Sequence, residues 1–248
     1  MSIQRISVRI GAAFVAASVG AGLVVALTPA AAGAAVRTPV AAVVVTKAAA
    51  ASCSTGKYQK QVETYLKKLG GFGSVKVDGK QSAADCAAIK KFQSRYGIRP
   101  VAGLAGPTTY GVAKRLANTK TSNCKAKKSG TTICVDLTQQ TVYVMKNGKV
   151  SVKPTVTRTG MKGYRTPTGT FKINKRTKKE WSNPYKVWMP YWQRFVGGVG
   201  LHQTTTYVHD AWRGSHGCVN LLASDAKQLY GIGKIGTTVK VYGRRSGT

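Results

Sequence analysis

Residues 132–152 read TICVDLTQQTVYVMKNGKVSV. Thr132–Leu137 and Thr141–Met145 are runs rich in β-branched side chains, which fit a pleated, half-buried surface better than a helix. Asn147-Gly148 follows, the dipeptide that supplies the positive φ angles of a tight two-residue turn, and it leads into Val150-Ser151-Val152. The stretch predicts the start of a mainly β region. Downstream, Thr166-Pro167-Thr168-Gly169-Thr170 is a turn before the short run Phe171-Lys172-Ile173, and Thr238–Tyr242 closes the chain as a strand. Ser224 to Tyr230 is the one clear helix of this half. Residues 131–248 therefore read as a mainly β domain with long loops.

Upstream the period changes. Residues 120–130 (KTSNCKAKKSG) form a basic, polar linker. Before it, Val62, Tyr65, Leu66 and Leu69 repeat at helical spacing, and Gly70-Gly71 stops the pattern. Ser82 and Asp85 form a capping-box pair opening a helix with Ile89, Phe92 and Tyr96 inward, and Gly97 ends it. Pro107 stands at a first helical position before Val112, Ala113 and Leu116. Residues 53–119 read as a small all-α bundle of three helices, so the chain is multidomain. Residues 36–52 are a low-complexity spacer. Residues 1–35 carry Arg5 and Arg9, an apolar run from Ile10 to Leu27 and a small-residue string, the layout of a signal peptide cleaved after Ala34 or Ala35. The run is also near the length of a bilayer span, so an uncleaved anchor stays open.

The chain has 39 Lys+Arg against 7 Asp+Glu, a formal charge of +32. Such one-sided charge calls for an anionic partner: nucleic acid, an acidic membrane or an anionic cell wall. Export excludes nucleic acid and favours the cell wall. It also places the five cysteines, at 53, 86, 124, 134 and 218, where thiols are oxidised. Bridges 53–86 and 124–134 would each stay within one segment and leave Cys218 free, although other pairings are compatible with the sequence.

The chain's three histidines, His202, His209 and His216, all fall within the sixteen residues before Cys218. A thiol becomes a strong nucleophile as thiolate, and a neighbouring imidazole takes its proton. Gly214 and Gly217 flank Ser215-His216 and let the backbone turn, so that the N–H groups of Gly217 and Cys218 could hold the oxyanion of an acyl intermediate. These parts describe a thiol acyl-transfer site. Two other readings stand beside it: a zinc site from the three histidines and Cys218, at a spacing unlike the common clips, and an inert buried thiol. Two-carboxylate glycoside hydrolysis finds little material, since Asp136, Glu180, Asp210 and Asp225 are the only carboxylates between 124 and 248.

GLHQTTTYVHDAWRGSHGCVNL resembles the active-site signature of the L,D-transpeptidases, TGMKGYRTPTGTFKI resembles that family's Thr-Pro-x-Gly segment, and DLTQQTVYVMKNGKV resembles its opening hairpin. VETYLKKLG, VDGKQSAADCAAIKKFQSRYGI and GLAGPTTYGVAKRL together resemble a peptidoglycan-binding module, with a departure at Val101-Ala102-Gly103, where the family often has a second Asp-Gly. The resemblance implies a mainly-β catalytic domain behind a three-helix peptidoglycan-binding bundle. It implies Cys218 as nucleophile and His202 as general base, oriented by the Gln203 carbonyl. It assigns His216 and Ser215 to support of the site, and Gly217 with Cys218 to the oxyanion. Asn220 would contact substrate or hold the loop, and Tyr191, with Trp188 and Trp192, would wall the peptide groove. His209 matches no family position, and Asp210 is not a member of the catalytic set. The implied reaction is 3→3 cross-linking of peptidoglycan stem peptides with release of D-Ala, without cofactor or metal, by a secreted monomer at the anionic wall, with acylation by carbapenems. An L,D-carboxypeptidase on the same site and a non-catalytic wall-binding protein are the alternatives.

Overall fold

The computed structural model describes residues 53–204 and 206–248. The signal peptide expected over residues 1–35 and the spacer expected over 36–52 lie outside them. Three helices come first: α1 Gln59–Leu69, α2 Ala83–Arg95 and α3 Pro107–Asn118. Val62 and Leu66 of α1, Ile89 and Phe92 of α2, and Val112, Ala113 and Leu116 of α3 meet in one buried cluster. The predicted capping box is present: the Ser82 side chain accepts from the Asp85 N–H, and the Asp85 carboxylate accepts from the Ser82 N–H. Pro107 opens α3 at a position where its missing N–H is not needed. A buried carboxylate holds the bundle's loop, since Glu63 accepts from Gln59 Nε2 at 2.8 Å and from the Gly79 N–H at 2.8 Å. Cys53 bridges Cys86, which staples the start of the described chain to α2.

The remainder is a nine-stranded sheet of order β4-β9-β1-β2-β3-β8-β7-β6-β5. Its strands are β1 Thr131–Asp136, β2 Thr141–Lys146, β3 Lys149–Arg158, β4 Gly169–Lys172, β5 Lys175–Ser182, β6 Val187–Val196, β7 Val199–Gln203, β8 Val219–Leu221 and β9 Thr238–Tyr242. Among these described strands, only β1 with β9 and β7 with β8 pair in parallel. The hairpin anticipated at Asn147-Gly148 joins β2 to β3, and a second turn around Gln139-Gln140 joins β1 to β2. Helix α4, Ala223–Ile232, buries Ala226 and Leu229 in the core that Ile133, Val144, Leu201, Val219 and Val239 build. Within 120–130, Thr121–Cys124 forms a turn of 3-10 helix, and Cys124 bridges Cys134 on β1. Both disulfides follow the pairing that keeps each within one segment, and Cys218 is the free cysteine.

The helical bundle and the sheet pack directly on each other within one compact unit. Val156 at the inner end of β3 and Val208 from the loop after β7 are buried in the bundle's own apolar cluster, with Leu222 against it. Polar groups complete the junction. Arg95 of α2 pairs with Asp225 in the first turn of α4 at 2.8 Å, and Thr155 Oγ1 donates to the same carboxylate at 2.6 Å. Asp225 is 2% exposed, so it depends on these donors. Replacing Arg95 by Ala is expected to cost about 1.5–3 kcal/mol, the value of a hydrogen bond to a charged group. A denaturant titration at neutral pH checks this; no change in midpoint would mean that Thr155 and the helix terminus alone satisfy the carboxylate.

Candidate active site

Strand register brings the sequence-predicted residues together. In the parallel pair β7/β8, Leu201 lies opposite Val219, His202 opposite Asn220 and Gln203 opposite Leu221. Leu201, Val219 and Leu221 are fully buried in the sheet core. Alternation along each strand therefore turns His202, Cys218 and Asn220 to the other face. Cys218 sits just before β8, partly exposed, with Sγ 3.9 Å from the Gly198 carbonyl. It opens into a cleft of about 480 Å³ whose walls include Trp181, Tyr185, Met189, Trp192 and His216.

The Ser-His-Gly-Cys turn is held by its own side chain. Ser215 Oγ donates to the Cys218 carbonyl at 2.6 Å and accepts the Gly217 N–H at 3.1 Å. Gly217 has φ +115°, a conformation that L side chains rarely adopt. The Gly217 N–H is thus already engaged, which corrects its expected share in an oxyanion pair and leaves Gly217 the supporting role. His216 lies between two tyrosines, stacked on Tyr185 at 4.2 Å and edge-on to Tyr164 at 4.4 Å between ring centroids.

His202 Nδ1 is 2.7 Å from the Gln203 carbonyl. A carbonyl only accepts, so Nδ1 carries the proton and Nε2 is left as a free base. Burial pushes the imidazole pKa down to about 4, with the Gln203 hydrogen bond opposing. Burial pushes the Cys218 thiol up, against a hydrogen bond from the Gly200 backbone. At neutral pH both groups are therefore uncharged. The Trp192 ring lies 5.9 Å from that of His202.

The three histidines do not converge as zinc ligands would. His209 Nε2 donates to the Tyr96 carbonyl of the helical bundle at 2.6 Å, and burial, aided by Arg115 and Arg158, pushes its pKa down to about 4. It joins the loop after β7 to the bundle. Among the described residues, no group of three or more His, Cys, Asp or Glu is placed to hold a metal ion.

Of the two residues expected near substrate, Asn220 takes its alternative role and Tyr191 lies away from the cleft. Asn220 is 1% exposed and donates from Nδ2 to the Tyr207 hydroxyl at 2.7 Å, so it holds the loop and does not face the cleft. Tyr191 packs against the sheet core and lies 5.8 Å from the Tyr230 ring of α4. Its φ of +58° breaks the alternation of β6, and Met189, Trp192 and Arg194 all reach the cleft as a result. Trp188 stacks edge-on with Trp181 and is half exposed. Of the three aromatics considered, Trp192 lines the site.

The 159–169 segment clamps the Ser-His-Gly-Cys turn. Thr166, 4% exposed, accepts the Gly160 N–H at 3.0 Å and donates to the Gly217 carbonyl at 2.6 Å. The Met161 N–H donates to the Ser215 carbonyl at 2.9 Å. Arg245 reaches in from beyond β9 and donates to four carbonyls: Thr159 and Gly160 on one side, Ala211 and Arg213 on the other. A side chain at Gly214 would place its Cβ 2.1 Å from the Arg245 guanidinium, so only glycine fits there. Sequence reasoning passed over Arg245, because an arginine near a chain's end in so basic a protein carries no local signal.

Comparison with known proteins agrees with this geometry. Residues 130–241 match the family model of the L,D-transpeptidase catalytic domain, and residues 55–112 match the model described as "Putative peptidoglycan binding domain". The crystal structure of an L,D-transpeptidase from Stackebrandtia nassauensis is 53% identical, aligns with 81% of this chain and 98% of its own, and has a TM-score of 0.78. An Enterococcus faecium L,D-transpeptidase is 32% identical, with 46% of this chain and 50% of its own covered and a TM-score of 0.41. No curated protein matches. With a fold, a free thiol in its cleft and a relative of that identity across nearly its whole length, the chain belongs to the L,D-transpeptidase family.

Proposed function

We propose that this protein is an exported peptidoglycan L,D-transpeptidase that forms 3→3 cross-links through an acyl-enzyme on Cys218. The observation that supports it best is the unpaired thiol in the cleft, on the same sheet face as an imidazole whose Nδ1–H is fixed on the Gln203 carbonyl. His202 Nε2 takes the thiol proton as Sγ attacks the carbonyl of the third residue of a tetrapeptide stem. The Cys218 N–H stabilises the oxyanion, since the Gly217 N–H is held by Ser215. The intermediate collapses, D-Ala leaves with the proton from His202, and a thioester remains. The side-chain amine of a diamino acid on a second stem then attacks the thioester and frees the thiol. Water in place of that amine gives the carboxypeptidase reaction. The helical module holds the enzyme at the wall.

Mixing the protein with a tetrapeptide stem should release D-Ala and yield a cross-linked dimer, and a carbapenem should leave a covalent adduct on Cys218 in the intact mass. Neither product would favour a wall-binding protein without catalysis.

The two pKa directions give a further expectation. Because the thiol is raised and the imidazole is lowered to about 4, the resting pair is neutral rather than a thiolate–imidazolium. Alkylation of Cys218 by iodoacetamide should accelerate steadily as pH rises through and beyond the ordinary thiol range of about 8.5. A rate already at its plateau between about pH 5 and 8 would show an ion pair instead.

A further inference from the structure

Trp212 is 93% exposed, more than any other large apolar side chain among the described residues. A single exposed apolar residue is ordinary where the backbone beneath it is loose. Trp212 stands instead on backbone held at both of its flanking peptides. Asp210 Oδ1 accepts the Trp212 N–H at 2.8 Å and the Arg213 N–H at 3.2 Å. From the other side, the buried Arg245 donates to the Ala211 carbonyl at 3.1 Å and to the Arg213 carbonyl at 2.7 Å. The indole is therefore presented to solvent from a fixed turn, which lowers the cost of ordering it when something binds.

The ring borders a cavity of about 500 Å³ whose walls include Met161, Lys162, Arg245 and Ser246. Met161 ties that cavity to the Ser-His-Gly-Cys turn, since its N–H donates to the Ser215 carbonyl at 2.9 Å. The surroundings decide what kind of partner fits. A bilayer or a protein partner calls for a contiguous apolar patch. Trp212 has none around it, because the other large apolar residues exposed among the described residues, such as Trp188 and Ile235, do not line this cavity. One flat aromatic face beside ammonium and hydroxyl donors matches a pyranose ring. Such a ring offers a face of C–H groups to the indole and a rim of hydroxyl, ether and amide oxygens to the donors.

We infer that Trp212 is a stacking platform for a sugar ring of the glycan strand that carries the stem peptides, and that the polar cavity beside it takes the edge of that ring. The inference rests on the transpeptidase reading and adds a glycan subsite outside the cleft of Cys218. The enzyme then reads the strand as well as the peptide.

The test compares D-Ala release from a free tetrapeptide stem with release from the same stem carried on a short soluble glycan strand. The full chain should prefer the strand-borne stem. Trp212→Ala should cut that preference by about 3–10-fold in kcat/KM, the worth of one aromatic stacking contact. The helical module is the same in both proteins, so its hold on the strand drops out of the comparison. Trp212→Tyr keeps a flat face and should retain most of the preference, whereas Trp212→Leu should not. An unchanged preference in Trp212→Ala, or a leucine variant as selective as the parent, overturns the inference while leaving the transpeptidase reading intact. So does an equal loss on the free stem, which would mean that the residue only shapes the neighbouring Ser-His-Gly-Cys turn. Glycan chains stripped of their stems give a readout without turnover: they should shift the tryptophan emission of the parent and not that of Trp212→Phe. The same shift in both proteins overturns the inference. Self-association that depends on Trp212, seen by sedimentation and without any response to glycan, would assign the ring to a second copy of the chain and overturn it as well. If no stem releases D-Ala and no carbapenem adduct forms, the enzymatic reading falls, and the emission change still decides the role of Trp212.

Discussion

Replacing His202 by Ala is expected to slow acylation of Cys218 by roughly 10²–10⁴-fold, the contribution of a positioned general base. Cys218→Ala should remove the adduct completely. The argument is geometric. The Gln203 carbonyl fixes the tautomer that leaves Nε2 unprotonated, and the enclosed imidazole stays neutral down to about pH 4. With the thiol itself raised, little thiolate exists at neutral pH without a base to take the proton during attack. His209→Ala is the control, since it removes a second partly buried imidazole, one that bonds the helical bundle instead. It should lower stability and change acylation far less. Time courses of carbapenem adduct formation by intact mass, at saturating drug, decide the matter. Equal losses in the two variants would mean that the base has been misassigned.

Arg245→Met is expected to destabilise the protein by about 3–5 kcal/mol, the cost of stripping a buried charged donor from its partners. Four carbonyls on two separate loops lose their donor, and the loops are those that carry Thr159-Gly160 and the approach to Ser215. Part of the loss is offset. Arg115, lowered to about 9, and Arg158, lowered to about 10, are pushed down by burial first and then by charge repulsion to which Arg245 contributes, so its removal relieves them. Denaturant unfolding gives the net value, and amide exchange should show faster opening at 159–166 and 211–217 than elsewhere. A variant that unfolds at the parent midpoint with unchanged exchange would show that the loops are held by their backbone contacts alone.

What the sequence disclosed follows from how local each signal is. The β1–β3 hairpins rest on neighbouring β-branched runs and an Asn-Gly turn, and the Ser82 capping box on residues three apart. The free thiol could be argued from where cysteines fall in the chain. The role of Arg245 could not, because its partners at Thr159 and Gly160 are 86 and 85 residues away. Nor could the sorting of Tyr191 from Trp192, of which only the second lines the cleft, since a single left-handed residue inside β6 sets which side chains share a face. For Asn220 the sequence left substrate contact and loop support open, and only its burial favours the second. Val156 and Val208 read as part of the β domain and are, yet their side chains complete the core of the helical bundle.

That shared junction also bears on where the enzyme can work. A module tethered by a loose linker would let the thiol sweep a broad volume around its anchoring point, at a local concentration set by linker length. Here the Arg95–Asp225 contact and the interlocked apolar cluster act as a ruler. Under the proposed function, a wall strand held by the three helices would meet Cys218 at a set distance and angle, and the spacing of stems along the wall, rather than the time spent bound, would decide which of them are joined.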